Sequence, residues 1–133
     1  MYVDTSALLK RYVEEADSDR AEGFLRADPA WVTARHTLVE TRRNLARLLG
    51  PTPALGLALG AFARDWARTH IVELDAITCE TAAALGEMTG ARTLDALHLA
   101  AATRALGASG AFLTFDLRLA EIARTLGLAV RGA

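Results

Sequence analysis

Cysteine and lysine each occur once in the 133 residues, and no apolar run approaches the ~18 residues of a membrane-spanning helix. Cys79 alone excludes an internal disulfide and fits a reducing compartment. Its setting, TCETAAALGEM, offers no local His or Asn to activate it, so a buried structural thiol is expected there and not a nucleophile. Lys10, the lone lysine, removes the phosphoacceptor receiver domain from consideration, because that arrangement needs a lysine at a late strand. GxSxG, HExxH, P-loop and GxGxxG patterns are all missing, which argues against serine hydrolases, zinc peptidases and the common nucleotide-binding folds. The chain opens on a strand-like run and reaches an acid at position 4, so no signal peptide is expected and the cytoplasm is the predicted location. A net charge of -1 gives no global attraction to nucleic acid.

What is present reads as a folded protein: 52% of residues are apolar and 23% charged. The length fits a single domain over residues 1–133, and folding should bury roughly two-thirds of the unfolded surface without disulfides or structural metals. No repeat, low-complexity tract or linker interrupts it. Positive charge is concentrated in residues 31–70, where Arg35, Arg42, Arg43, Arg47, Arg64 and Arg68 outnumber Glu40 and Asp65. On its own this is a solvated face of a helical hairpin as readily as a phosphate-binding patch.

Short β-type runs alternate with longer helical ones. Strands are expected at Met1–Asp4, Trp31–Thr33, His70–Leu74, Ala111–Phe115 and Leu128–Arg131. Helices are expected in SALLKRYVEE and DSDRAEGFLRA, then over Arg35–Leu49, Pro53–Thr69, Ala76–Thr89, Thr93–Leu106 and Leu117–Leu126. Gly50-Pro51, Gly90, Gly107 and Gly127 supply the stops. Such alternation predicts a three-layer α/β/α fold with a central, mainly parallel sheet of about five short strands. Sites in open α/β sheets form beyond the carboxyl ends of the strands, at a topological switch point.

Four acids stand out against that frame. Asp4 and Asp116 each follow a strand and precede a helix, where a helix cap is the commoner role. Asp95 shares a helical face with Leu99, Ala102 and Leu106, so it continues a stripe that should be buried. A first-turn position, with Thr93 as cap, explains its charge but not an inward-facing carboxylate. Glu40 sits within a helix, where most Glu residues are exposed partners, here for Arg43 or Asn44. Gathered at one sheet edge, the four would repel and take up protons unless a cation lay among them. Oxygen-only ligands suit Mg²⁺ or Mn²⁺ better than zinc. Such an ion lowers the pKa of a water, orients it for in-line attack on phosphorus, and neutralises charge on the phosphate oxygens.

The strings YVDTSALLKRY, TLVETRRNLARL, TLDALHLAAATRAL and FLTFDLRLAEIARTLGL resemble the successive motifs of the PIN domain, and more narrowly the VapC-type toxins of toxin–antitoxin pairs. The resemblance runs from Tyr2 to Val130, with the motifs in order. It implies a parallel sheet between helical layers and an acidic pocket binding Mg²⁺ or Mn²⁺. The family's four acids fall on Asp4, Glu40, Asp95 and Asp116, with Glu40 the one expected to meet metal through water. Ser6 and Thr114 match the small hydroxyl positions that support the pocket. His98 is read as packed or supporting, not as a ligand. The resemblance further implies RNA as substrate, a homodimer, and a small antitoxin that inserts a basic residue near the acids. Arg42, Arg43 or Arg47 would then position RNA phosphates without sequence specificity. The alternatives are a PIN-fold binding or regulatory module with a weak or silent pocket, and a stand-alone RNA-processing nuclease.

Overall fold

A computed structural model describes residues 1–107 and 110–133. Among the described residues five strands form one sheet: β1 (Tyr2–Val3), β2 (Val32–Ala34), β3 (His70–Val72), β4 (Ala111–Thr114) and β5 (Ala129–Gly132). Their order is β3-β2-β1-β4-β5, and every neighbouring pair is parallel. The helices are α1 (Thr5–Leu9), α2 (Ser18–Ala27), α3 (Thr37–Leu49), α4 (Pro53–Trp66), α5 (Ala76–Thr89), α6 (Thr93–Leu106) and α7 (Leu117–Thr125).

The central strands are apolar on both faces, as buried parallel strands must be. Val3 and Leu113 turn to one side, where Ala7 and Leu8 of α1, Leu25 of α2, Leu45 of α3, and Ala58 and Phe62 of α4 close a core. Tyr2 and Phe112 turn to the other, their rings stacked 5.3 Å apart. There they meet Leu99, Ala101 and Ala102 of α6 and Leu119 and Ala123 of α7. The result is the expected three-layer arrangement with a wholly parallel sheet. Helix α6 is buried around most of its circumference, because its alanines let the sheet approach one side and α5 the other, through Ala82, Ala96 and Ala100.

Several boundaries differ from the sequence expectation. The helix expected through Glu15 stops at Leu9, and the chain tightens into turns in which Arg11 N–H donates to the Leu8 carbonyl and Tyr12 N–H to that of Leu9. Tertiary partners decide this. Arg11 reaches Asp65 at 2.7 Å and Glu22 at 2.6 Å, and the Tyr12 hydroxyl donates to Asp65 at 2.9 Å. The second strand is Val32–Ala34, one residue later than expected; α3 begins at Thr37, and α4 ends at Trp66. Thr93 is the first residue of α6 and not its cap; Arg92 takes the N-cap position without a side-chain capping bond to the helix backbone. Cys79 is exposed, contrary to the expectation of a buried thiol, since α5 buries Thr78 and Ala82 and turns the adjacent Cys79 outward. No helix among the described residues is long and apolar enough to cross a membrane.

The chain moves from β1 outward to β2 and β3, then returns to place β4 on the opposite side of β1. The carboxyl ends of β1 and β4 therefore flank the switch point, the position where open α/β sheets leave a crevice.

Candidate active site

Asp4 follows β1 directly and Asp116 comes two residues after β4, so parallel pairing of the two strands brings both acids to one edge. Each is also a helix cap. The Asp4 carboxylate accepts from the Ala7 N–H at 2.9 Å, and Asp116 accepts from the Leu119 N–H at 3.0 Å. Capping and a place in the pocket are thus compatible: a cap uses one carboxylate oxygen and orients the other.

Two hydroxyls complete the setting of Asp4. Ser6 Oγ donates to it at 2.8 Å and in turn accepts from the Phe115 N–H at 2.9 Å. Thr114 Oγ1 donates to Asp4 Oδ2 at 2.8 Å and accepts from the Asp116 N–H at 3.1 Å. Ser6 and Thr114 therefore tie the β1 edge to the β4 edge. Asp4 is only 3% exposed, and burial pushes its carboxyl above the usual range, although His98 and the hydrogen bonds from Ala7, Thr114 and Ser6 pull the other way.

Glu40 lies in the first turn of α3, and its side chain is neither exposed nor paired with Arg43. Its Oε2 accepts from Thr5 Oγ1 at 2.6 Å and lies 2.9 Å from His98 Nε2. Burial would raise this carboxyl, but the hydrogen bond and electrostatic pull of His98 and the bond from Thr5 outweigh it, and the group is held below its ordinary value. His98 is itself buried, with Nδ1 2.8 Å from the Tyr2 hydroxyl.

Asp95 faces inward from the first turn of α6, as its stripe predicts, but it is not unpaired. Arg92 Nε donates to Asp95 Oδ2 at 2.7 Å, and its Nη2 reaches Asp116 Oδ2 at 2.9 Å. This guanidinium bridge was not foreseen, although the Arg-x-x-Asp spacing in ARTLD was a visible signal. His36 was also missed. It caps α3 by position only, and its Nε2 lies 3.6 Å from Glu40 Oε2.

Asp4, Glu40, Asp95 and Asp116 line one cavity of about 390 Å³, together with Thr5, Ser6, Asn44, Arg92 and His98. Arg42, Arg43 and Arg47 do not line it. Arg42 borders a separate groove between α3 and α4, beside Phe62 and Trp66. Arg47 bonds Asn44 Oδ1 at 3.2 Å, and so follows the Glu40–Asn44 face of α3 outward from the cavity. Asp95 and Asp116 share the exposed Arg92 guanidinium and Asp4 has no cationic side chain bonded to it, so the cavity carries an excess of negative charge.

A PIN-domain family model matches residues 1–125. Ribonuclease VapC35 of Mycobacterium tuberculosis is 37% identical to the chain, covering 98% of it and 94% of the relative. This chain belongs to the PIN-domain family, within its VapC-type branch. Among solved structures, VapC20 of Mycobacterium tuberculosis, described as a sarcin–ricin-loop-cleaving toxin, superposes with a TM-score of 0.68 at 20% identity, covering 96% of this chain and 95% of that one. A toxin–antitoxin complex from Klebsiella pneumoniae contains a chain matching with a TM-score of 0.66 at 17% identity, over 86% of this chain and 85% of that one. At these identities the two structures speak for the fold.

Proposed function

We propose that this chain is one PIN domain over residues 1–133 acting as a metal-dependent endoribonuclease, the toxin of a toxin–antitoxin pair. The observation that carries the reading is the convergence of Asp4, Glu40, Asp95 and Asp116 on one cavity at the switch point of the sheet. The relative named a ribonuclease supports RNA as the substrate, and the superposed complex supports a cognate antitoxin.

The residues fit a divalent cation. Asp4 is buried without a cationic side chain bonded to it, and the neighbouring acids already draw in the Arg92 guanidinium. An all-oxygen donor set suits Mg²⁺ or Mn²⁺. Asp4, Asp95 and Asp116 would hold the ion directly. Glu40 would act through a water, because Thr5 and His98 already engage its Oε2. When bound, the ion supplies activation of water and neutralisation of charge on the phosphate oxygens.

The chain's own side chains do the remaining work. Ser6 and Thr114 fix the orientation of Asp4, and a supporting bond of that kind is worth about 10–100-fold in metal affinity or activity. Arg92, on the rim, exchanges its carboxylates for an incoming phosphate, to which its planar fork is well matched. Arg43 and Arg47 extend positive charge along α3 for non-specific backbone contact. We further propose a homodimer and a cytoplasmic location.

The test is cleavage of RNA by purified protein in Mg²⁺ or Mn²⁺, with EDTA as control. Asp4→Asn and Asp95→Asn should each lower the rate at least about 100-fold, the scale of losing a preorganised electrostatic contact. Equal rates in the variants and the parent would reject the assignment.

A further inference from the structure

Beside the carboxylate set lies a group of different chemistry. His36 and Glu40 stand one helical turn apart at the start of α3, and His98 comes across from α6 on the opposite face of the sheet. One donor atom from each lies within 4.8 Å of the others. Glu40 Oε2 is 2.9 Å from His98 Nε2 and 3.6 Å from His36 Nε2, and the two imidazole centroids are 4.2 Å apart.

His36 is the telling member. It is 8% exposed, and neither of its ring nitrogens makes a well-formed hydrogen bond, although the Leu94 backbone approaches the ring. A buried imidazole left in that state carries an unmet polar group, so it calls for a partner. Its Nε2 is aimed at the one carboxylate oxygen that His98 also approaches.

We propose that His36, Glu40 and His98 form a binding site for a zinc-class divalent cation, separate in donor chemistry from the oxygen-only pocket but sharing Glu40 with it. Imidazole nitrogens favour zinc-class ions where carboxylates alone favour magnesium. Zinc bonds of about 2.0–2.2 Å place tetrahedral ligand atoms roughly 3.3 Å apart, so small side-chain shifts close the set. Nδ1 of His98 is already engaged by the Tyr2 hydroxyl, the kind of outer bond that fixes which imidazole nitrogen meets a metal. Glu40 and His98 also line the cavity, so water from there would complete the set. Because one carboxylate serves both donor sets, an ion held by the histidines takes Glu40 away from the neighbouring acids.

The experiment uses Co²⁺ as a spectroscopic stand-in for zinc on the full chain. Wild type should bind one equivalent with the intense visible bands of a four-coordinate site, and one equivalent of Zn²⁺ should erase them. The bands should persist in Cys79→Ser, which removes the exposed thiol, and vanish in His36→Gln. Loss in Cys79→Ser, or persistence in His36→Gln, would overturn the proposal. A second measurement needs no variant: Zn²⁺ titrated into labelled wild type should move the ring resonances of His36 and His98, whereas movement of His70 alone would overturn the proposal. This readout is independent of catalysis. Cobalt bands in a protein that cleaves no RNA would leave the site standing and remove only the nuclease reading.

Discussion

Asp4 and Glu40 are both largely buried acids on the same cavity, yet their surroundings treat charge in opposite ways. Asp4 sits among hydroxyls and an amide, with no cationic side chain bonded to it, and burial drives its carboxyl upward. Glu40 is less deeply buried, its side chain 20% exposed, and His98 and Thr5 hold it below its ordinary value. The difference teaches where a cation is wanted. A carboxylate made costly by its own fold is poised to bind an ion, while one already partnered is poised to support or to switch partners.

The largest effect should come from removing the partner. His98→Ala leaves Glu40 without its imidazole and the Tyr2 hydroxyl unmatched, and unfolding in urea should show a loss of about 4 kcal/mol, within the range for breaking a buried pair. If the loss is negligible, Glu40 is not held as described.

A second effect separates the windows of pH. His36 is lowered to about 4, first by burial and then by the nearby His98, with Glu40 opposing. Its folded pKa lies below the unfolded value, so its contribution is present above about 6.5 and is lost as pH falls toward 4. Thermal melts of metal-free protein should show that decline, and His36→Gln should flatten it. Asp4 runs the other way. Its folded pKa is raised, so its contribution is complete below the unfolded carboxyl value and is lost as pH rises through the folded one.

It follows that Asp4→Asn should stabilise the metal-free protein at neutral pH while lowering activity, since Asn keeps the cap on the Ala7 N–H and removes the costly buried charge. Glu40→Gln should do the reverse and destabilise. The same sign for both would erase the contrast. The smallest effect belongs to Arg92, whose exposed bridge competes for Asp95 and Asp116. Arg92→Ala should raise Mn²⁺ affinity about threefold by calorimetry, in keeping with the modest strength of exposed ion pairs.

Much of this site was legible from the sequence. Asp4 and Asp116 stand out in the sequence because a strand end followed by a helix start is a local pattern, though one that reads equally as a cap, and Asp95 because it continues an apolar stripe. Glu40 was not legible from its own helix, where it resembles any surface Glu; its place rested on the family motif. Locally Arg92 shows only its spacing to Asp95, and nothing in the sequence says that it will also reach Asp116 or that His36 will face a second histidine 62 positions away. Cys79 was misplaced for a related reason: a sparsely polar helix does not reveal which of its faces meets its neighbour.

By itself the sequence determined the alternation of strands and helices, the glycine stops and the edge on which the acids would gather, since each follows from periodicity, capping or the geometry of parallel crossovers. Only the tertiary structure decided the charge state of that edge. Whether a carboxylate is costly or satisfied depends on what faces it from another element, and those facing groups, Thr114 for Asp4 and His98 for Glu40, arrive from 110 and 58 residues away.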